Sequence, residues 1–118
     1  MKYALLMFSD PDRTRAMPED EVDKILRKHD ALRDDLTRSG ELLNGAGLAY
    51  PDETVVLRQG PEEVVSSRGA LSDATEHLTA YYVVECESPD RARQIAERTL
   101  DHHVTVVELR EIHDWAGS

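Results

Sequence analysis

Apolar residues along this chain follow two different spacings, and the contrast between them predicts an architecture. Residues 3–8 (YALLMF) and 80–84 (AYYVV) are apolar at every position. A strand turns successive side chains to opposite faces, so both faces of these two strands need cover. Elsewhere the spacing is helical. Val22, Ile25, Leu26, Leu32 and Leu36 form one stripe of a helix that begins at Pro18, carries Glu19, Asp20 and Glu21 in its first turn, and stops at Gly40. Ala92, Ile95, Ala96, Thr99 and Leu100 line a shorter helix with Ser88 as its N-cap and Pro89 as its first residue.

Strand patterns fall at residues 2–8, 42–48, 54–58, 64–67, 79–87 and 104–110. The third and fourth flank Gln59-Gly60-Pro61-Glu62, a turn signal, and read as an inserted hairpin. Without that hairpin the order is strand, helix, strand, strand, helix, strand, the split βαβ order of an α+β, ferredoxin-like sheet with two helices on one face. Its first and third strands are central, and here those are the two fully apolar runs. Two helices cover one face, so the other face predicts a second copy of the chain: a homodimer joined through the open sheet faces, in a dimeric α+β barrel-type assembly. All 118 residues fit one domain with a modest core.

Charge narrows the choice of partners. A formal net charge of −10 opposes binding to a phosphate backbone, so nucleic acid is not an expected partner. No apolar run is long enough for a membrane span, and the opening strand lacks the cleavage pattern of a signal peptide, so the expectation is a cytoplasmic protein without membrane contact. Cys86, the single cysteine, closes a buried strand and reads as an inert core thiol rather than a nucleophile.

The opening Met1-Lys2-Tyr3-Ala4-Leu5-Leu6-Met7-Phe8-Ser9-Asp10, the turn Gly45-Ala46-Gly47-Leu48, the segment at residues 67–85 (SRGALSDATEHLTAYYVVE) and the closing Val107-Glu108-Leu109-Arg110-Glu111-Ile112 together resemble the YCII-related family, including its DGPF-motif branch. Where that branch carries Asp-Gly-Pro-Phe, this chain has Arg68-Gly69-Ala70-Leu71 and keeps the glycine. The resemblance implies a dimeric α+β protein of largely unassigned activity, with a cleft between helices and sheet.

His29 is the leading chemical candidate because it interrupts the apolar stripe of the long helix, seven residues from both Val22 and Leu36. About 16 Å into that helix, it is either a satisfied core residue or the wall of a cleft. Buried, it would be neutral and able to act as a base. The family resemblance implies a histidine on the first helix as the basic member of a His-Asp pair. Asp10 and Asp52 are the candidate acids, each with a plainer reading: Asp10 as a turn before Pro11, Asp52 as a solvated loop residue after Pro51. Arg68 could meet an acidic ligand or simply face solvent. Tyr81 and Tyr82 point to opposite faces of their strand, one toward the inner cleft and one toward the mate, or both pack with bonded hydroxyls.

A metal alternative rests on His102, His103, His113 and Asp114, but neighbouring histidines diverge and no His-x-His spacing occurs, so neither a metal nor a cofactor is expected. The expected function is therefore binding of a small organic molecule in the helix-sheet cleft. General acid-base turnover by His29, of lyase, isomerase or hydrolase type on a small carbonyl or lactone-like substrate, is one outcome. A non-catalytic ligand-sensing or protein-interaction module is the other.

Overall fold

A computed structural model describes residues 1–113; Asp114 of the metal alternative lies outside the described residues. Six strands and three helices run in the order β1 (Lys2–Ser9), α1 (Pro11–Arg15), α2 (Glu19–Arg38), β2 (Leu42–Gly47), β3 (Val55–Gln59), β4 (Val64–Arg68), β5 (His77–Glu85), α3 (Pro89–Thr99) and β6 (Val106–Glu111), with one 3-10 turn at Pro51–Glu53. Strands β2-β5-β1-β6 form an antiparallel sheet, and β3 and β4 form a separate antiparallel ribbon. This mixed α+β arrangement is compatible with a ferredoxin-like fold, with the two apolar runs in its central strands.

Side chains on β1 alternate as the pleat requires. Tyr3, Leu5 and Met7 are buried against the helices with Tyr82, Val84, Leu32, Leu36 and Ile95. On the opposite face Ala4, Leu6 and Phe8 are half-buried and stand beside Val83, Tyr81 and Val106 in register. The molecule is only 18 Å thick, the depth of one sheet and one helix layer, and its radius of gyration is 16.3 Å. A compact chain of this length has a radius of gyration of about 13–14 Å. The difference reflects an uncovered sheet face and a projecting ribbon, on which Val55, Leu57 and Val64 are about three-fifths or more exposed.

Helix ends follow local chemistry. Pro18 sits one residue outside α2, as its N-cap, rather than as the first helical residue. At the other end Gly40 takes φ +77°, and the N–H groups of Glu41 and Gly40 donate to Leu36 O (2.9 Å) and Thr37 O (3.1 Å), a Schellman closure that glycine adopts without strain. The Ser88 hydroxyl accepts from Arg91 N at the start of α3, with Pro89 as the first helical residue. Glu41 then clamps Arg91 through two parallel bonds of 2.7 and 2.9 Å, tying the end of α2 to the start of α3.

Two elements differ from the sequence expectation. Asp10-Pro11 opens a short helix, α1, rather than a bare turn, because the Asp10 carboxylate accepts from the N–H groups of Asp12 and Arg13. The other is the N-terminal half of α2, where Val22 and Ile25 are half-buried and Leu26 is 55% exposed. There the helix overhangs a cavity instead of the sheet.

Candidate functional site

That cavity, of about 510 Å³, lies between α1, α2 and the adjoining ends of β1, β2 and β5. Its walls include Met7, Ile25, Leu48, Tyr50 and Ala80, and its polar groups include His29, Arg33, His77, Tyr82 and His103 beside the hydroxyls of Ser9, Thr14 and Thr79. Volume and lining suit a small organic ligand. One wall depends on a missing side chain. Gly45 pairs with Tyr82 across the sheet, and a Cβ at Gly45 would fall 2.6 Å from Tyr82 Cδ1, so only glycine lets the ring lie flat against β2.

His29 is buried on the inner side of α2, with Nε2 3.1 Å from Asp101 Oδ2. Asp101 lies in the loop after α3. Its Oδ1 accepts from His103 N (2.7 Å) and Val104 N (2.6 Å), and Lys28 Nζ stands 3.3 Å from Oδ2. Lys28 also donates to the carbonyl of Leu100. Burial opposes ionisation of Asp101, but the two backbone N–H groups and the Lys28 ammonium outweigh it and hold the acid below the ordinary carboxylate value. Burial pushes the His29 imidazole below the ordinary histidine value, Asp101 pulls it back, and Lys28 and His103 add to the depression.

An ionised carboxylate can only accept, so the proton of the neutral His29 ring sits on Nε2 and the lone pair on Nδ1. Thr14 Oγ1 lies 3.1 Å from Asp10 O and 2.9 Å from His103 Nδ1, within hydrogen-bond reach of both. Burial lowers the His103 pKa, with Asp101 opposing.

The carboxylate that meets His29 is therefore Asp101, and neither Asp10 nor Asp52 bonds to it. Asp10 caps α1. Asp52 pairs with Arg15 at 3.0 Å, and the same guanidinium covers the Tyr50 ring at 4.2 Å, so this pair fastens the 3-10 turn to α1 at the cavity rim. Arg68 is exposed at the end of the β3-β4 ribbon, outside the cavity lining, and Gly69 after it takes φ +104°, a conformation that accounts for the glycine kept there. The cation in the cavity is Arg33, whose Nη1 donates to the Tyr82 hydroxyl at 3.4 Å. Tyr82 is buried on the cavity side; Tyr81 faces the other way, 3.5 Å from Asn44 Nδ2.

Asp101 and Arg33 escaped the sequence reading, although both carry a signal. Asp101 accepts from the N–H groups of the second and third residues after it, His103 and Val104, an Asx-type turn. Arg33 lies four residues after His29, on the same helix face. Cys86 is buried in the core. Among the described residues, no three His, Cys, Asp or Glu side chains gather to hold a metal ion, and His102 and His103 line different hollows.

A family model described as the YCII-related domain matches residues 1–116, nearly the whole chain. The chain belongs to the YCII-related family. This YCII-related protein is also 27% identical over 96 residues to an uncharacterized protein of Rhizobium meliloti (strain 1021), across 81% of this chain and 77% of that one. In this YCII-related chain, as described, no helix is long and apolar enough to cross a membrane.

Proposed function

We propose that this protein binds a small organic molecule in the helix-sheet cavity and acts on it by general acid-base chemistry, with His29 as the base and Asp101 as the residue that orients it. The observation that carries the reading is the 3.1 Å contact between His29 Nε2 and Asp101 Oδ2 on the wall of a cavity of about 510 Å³. A base is effective when its neutral form predominates at working pH and its conjugate acid is stabilised once formed. Burial supplies the first condition. Asp101 supplies the second, because a carboxylate already bonded to Nε2–H stabilises the imidazolium when Nδ1 takes a proton. Proton abstraction beside a small carbonyl group, or activation of water toward a lactone-like ester, begins with proton transfer to His29 Nδ1 and develops negative charge on the substrate oxygen.

The active unit in this reading is a homodimer with ferredoxin-like protomers, joined through the sheet faces that carry Ala4, Leu6, Phe8, Tyr81 and Val83. The half-buried apolar side chains there and the 18 Å thickness of the protomer support it. Each few hundred Å² of such surface withdrawn from water contributes several kcal/mol at about 25 cal/mol per Å².

Two measurements test the chemistry. Imidazole ¹⁵N NMR is expected to show His29 neutral, protonated on Nε2, with a pKa below the ordinary value. Exchange of α-protons of small ketones and esters in D2O is expected with the wild-type protein and lost in His29→Asn. A solvent-exposed His29 with an ordinary pKa and no exchange sinks the enzyme reading and leaves a ligand-sensing module.

A further inference from the structure

Asp and Glu make up 24 of the 118 residues, yet none among the described residues lines the cavity. Among the described residues Arg33 is the one lining side chain with a fixed charge, accompanied by the imidazoles of His29, His77 and His103. The guanidinium is divided between two partners. Nη2 meets Asp30, which lies outside the lining, and Nη1 donates to the Tyr82 hydroxyl at 3.4 Å, inside it. Because that hydroxyl accepts from Arg33, its own proton is free to donate, and no acceptor for it is found among the described residues. A guanidinium and a free O–H stand side by side and present two donors to an incoming group, with no carboxylate among the described lining residues to compete for them.

On the reading that this cavity is the ligand site, we infer that it takes a small monocarboxylate, seated with its anion between Arg33 and the Tyr82 hydroxyl and its apolar body against Met7, Ile25 and Ala80. Charge count sets the valence. Asp30 already offsets part of the Arg33 charge on the solvent side, and Asp101 stands behind His29, so a second negative charge on the ligand would be uncompensated. Position then follows from the helix. Arg33 lies one turn beyond His29 on the same face of α2, about 6 Å along the axis, so an anion held by Arg33 brings the neighbouring carbons toward the imidazole.

Titration of the ¹⁵N-labelled full chain with hexanoate and benzoate, each paired with its neutral amide, separates the possibilities. The acids are expected to bind at least about tenfold tighter than the amides, with shifts at Arg33, Tyr82 and Gly45. Arg33→Gln is expected to erase that preference and Arg33→Lys to keep part of it, while His29→Asn keeps it. Equal binding of acid and amide overturns the monocarboxylate inference and leaves the cavity as a site for neutral ligands. Absence of binding by all four probes overturns the inference and the ligand-site reading together, and a preference that survives Arg33→Gln shows that the anion is held elsewhere.

Discussion

His29 and Asp101 stand 72 residues apart in the chain, and the folded protein brings His29 Nε2 to 3.1 Å from Asp101 Oδ2. The contact joins the inner face of α2 to the loop that leads into β6, so the same carboxylate both orients the ring and ties down the backbone after α3. Substitutions at Asp101 therefore act twice, and the choice of replacement separates the two effects.

Asp101→Asn keeps an oxygen for the His103 and Val104 N–H groups but removes the charge that favours the imidazolium. Any turnover is expected to fall by two or more orders of magnitude, with a smaller loss of stability than in Asp101→Ala. Asp101→Ala leaves both N–H groups unpartnered and is expected to cost about 2–3 kcal/mol. Urea denaturation of the two variants, beside an activity assay, checks the pair.

Acidification is expected to destabilise the protein in two stages. His29 and His103 titrate below the ordinary value of 6.5 in the fold, so the unfolded chain takes up protons first as pH falls through 6.5. Stability from this source is complete above that pH and declines toward the lower folded values. Asp101, held below 3.8, adds a second loss at still lower pH. The titratable and charged groups that act on His29 are Asp101, Lys28 and His103. Thermal melts from neutral to acid pH should show a shallower first decline in His29→Gln; an unchanged slope contradicts the assignment.

Gly45 and Gly47 make a matched pair on one strand. A Cβ at Gly45 meets the Tyr82 ring at 2.6 Å, whereas one at Gly47 meets nothing within 4 Å. Gly45→Ala is expected to cost about 1–3 kcal/mol and to displace the ring that walls the cavity. Gly47→Ala is expected to stay within about 0.5 kcal/mol of wild type. Chemical denaturation and the Tyr82 ring resonances report both.

Leu6 sits at the centre of the open sheet face, beside Tyr81 and Glu108 in register. Leu6→Arg leaves the inner core untouched, so the protomer is expected to fold while self-association falls by more than tenfold. Sedimentation velocity of wild type at micromolar concentration is expected to give twice the chain mass. A wild-type protein that sediments at the chain mass, without ligand, removes the dimer from the proposal.

Much of the sheet was legible in the chain because strand and helix periods are local properties. The two runs apolar at every position became β1 and β5, at the centre of the sheet, and the turn around Gly60 joined β3 to β4. His29 was legible as well, since a polar residue on an apolar helical stripe needs a reason to be there. The short helix α1 was less so: Asp10-Pro11 suits both a turn and a capped helix, and the choice rests on bonds to the next two N–H groups.

Residue order by itself determined the six strands, the two longer helices, their sequence along the chain and the side of α2 that turns inward, since each depends on neighbours within a few positions. Folding in three dimensions decided which acid serves His29, which arginine enters the cavity and what Gly45 makes room for. Those outcomes depend on loops and strand ends that meet only after the sheet has paired, and no periodicity in the sequence records them.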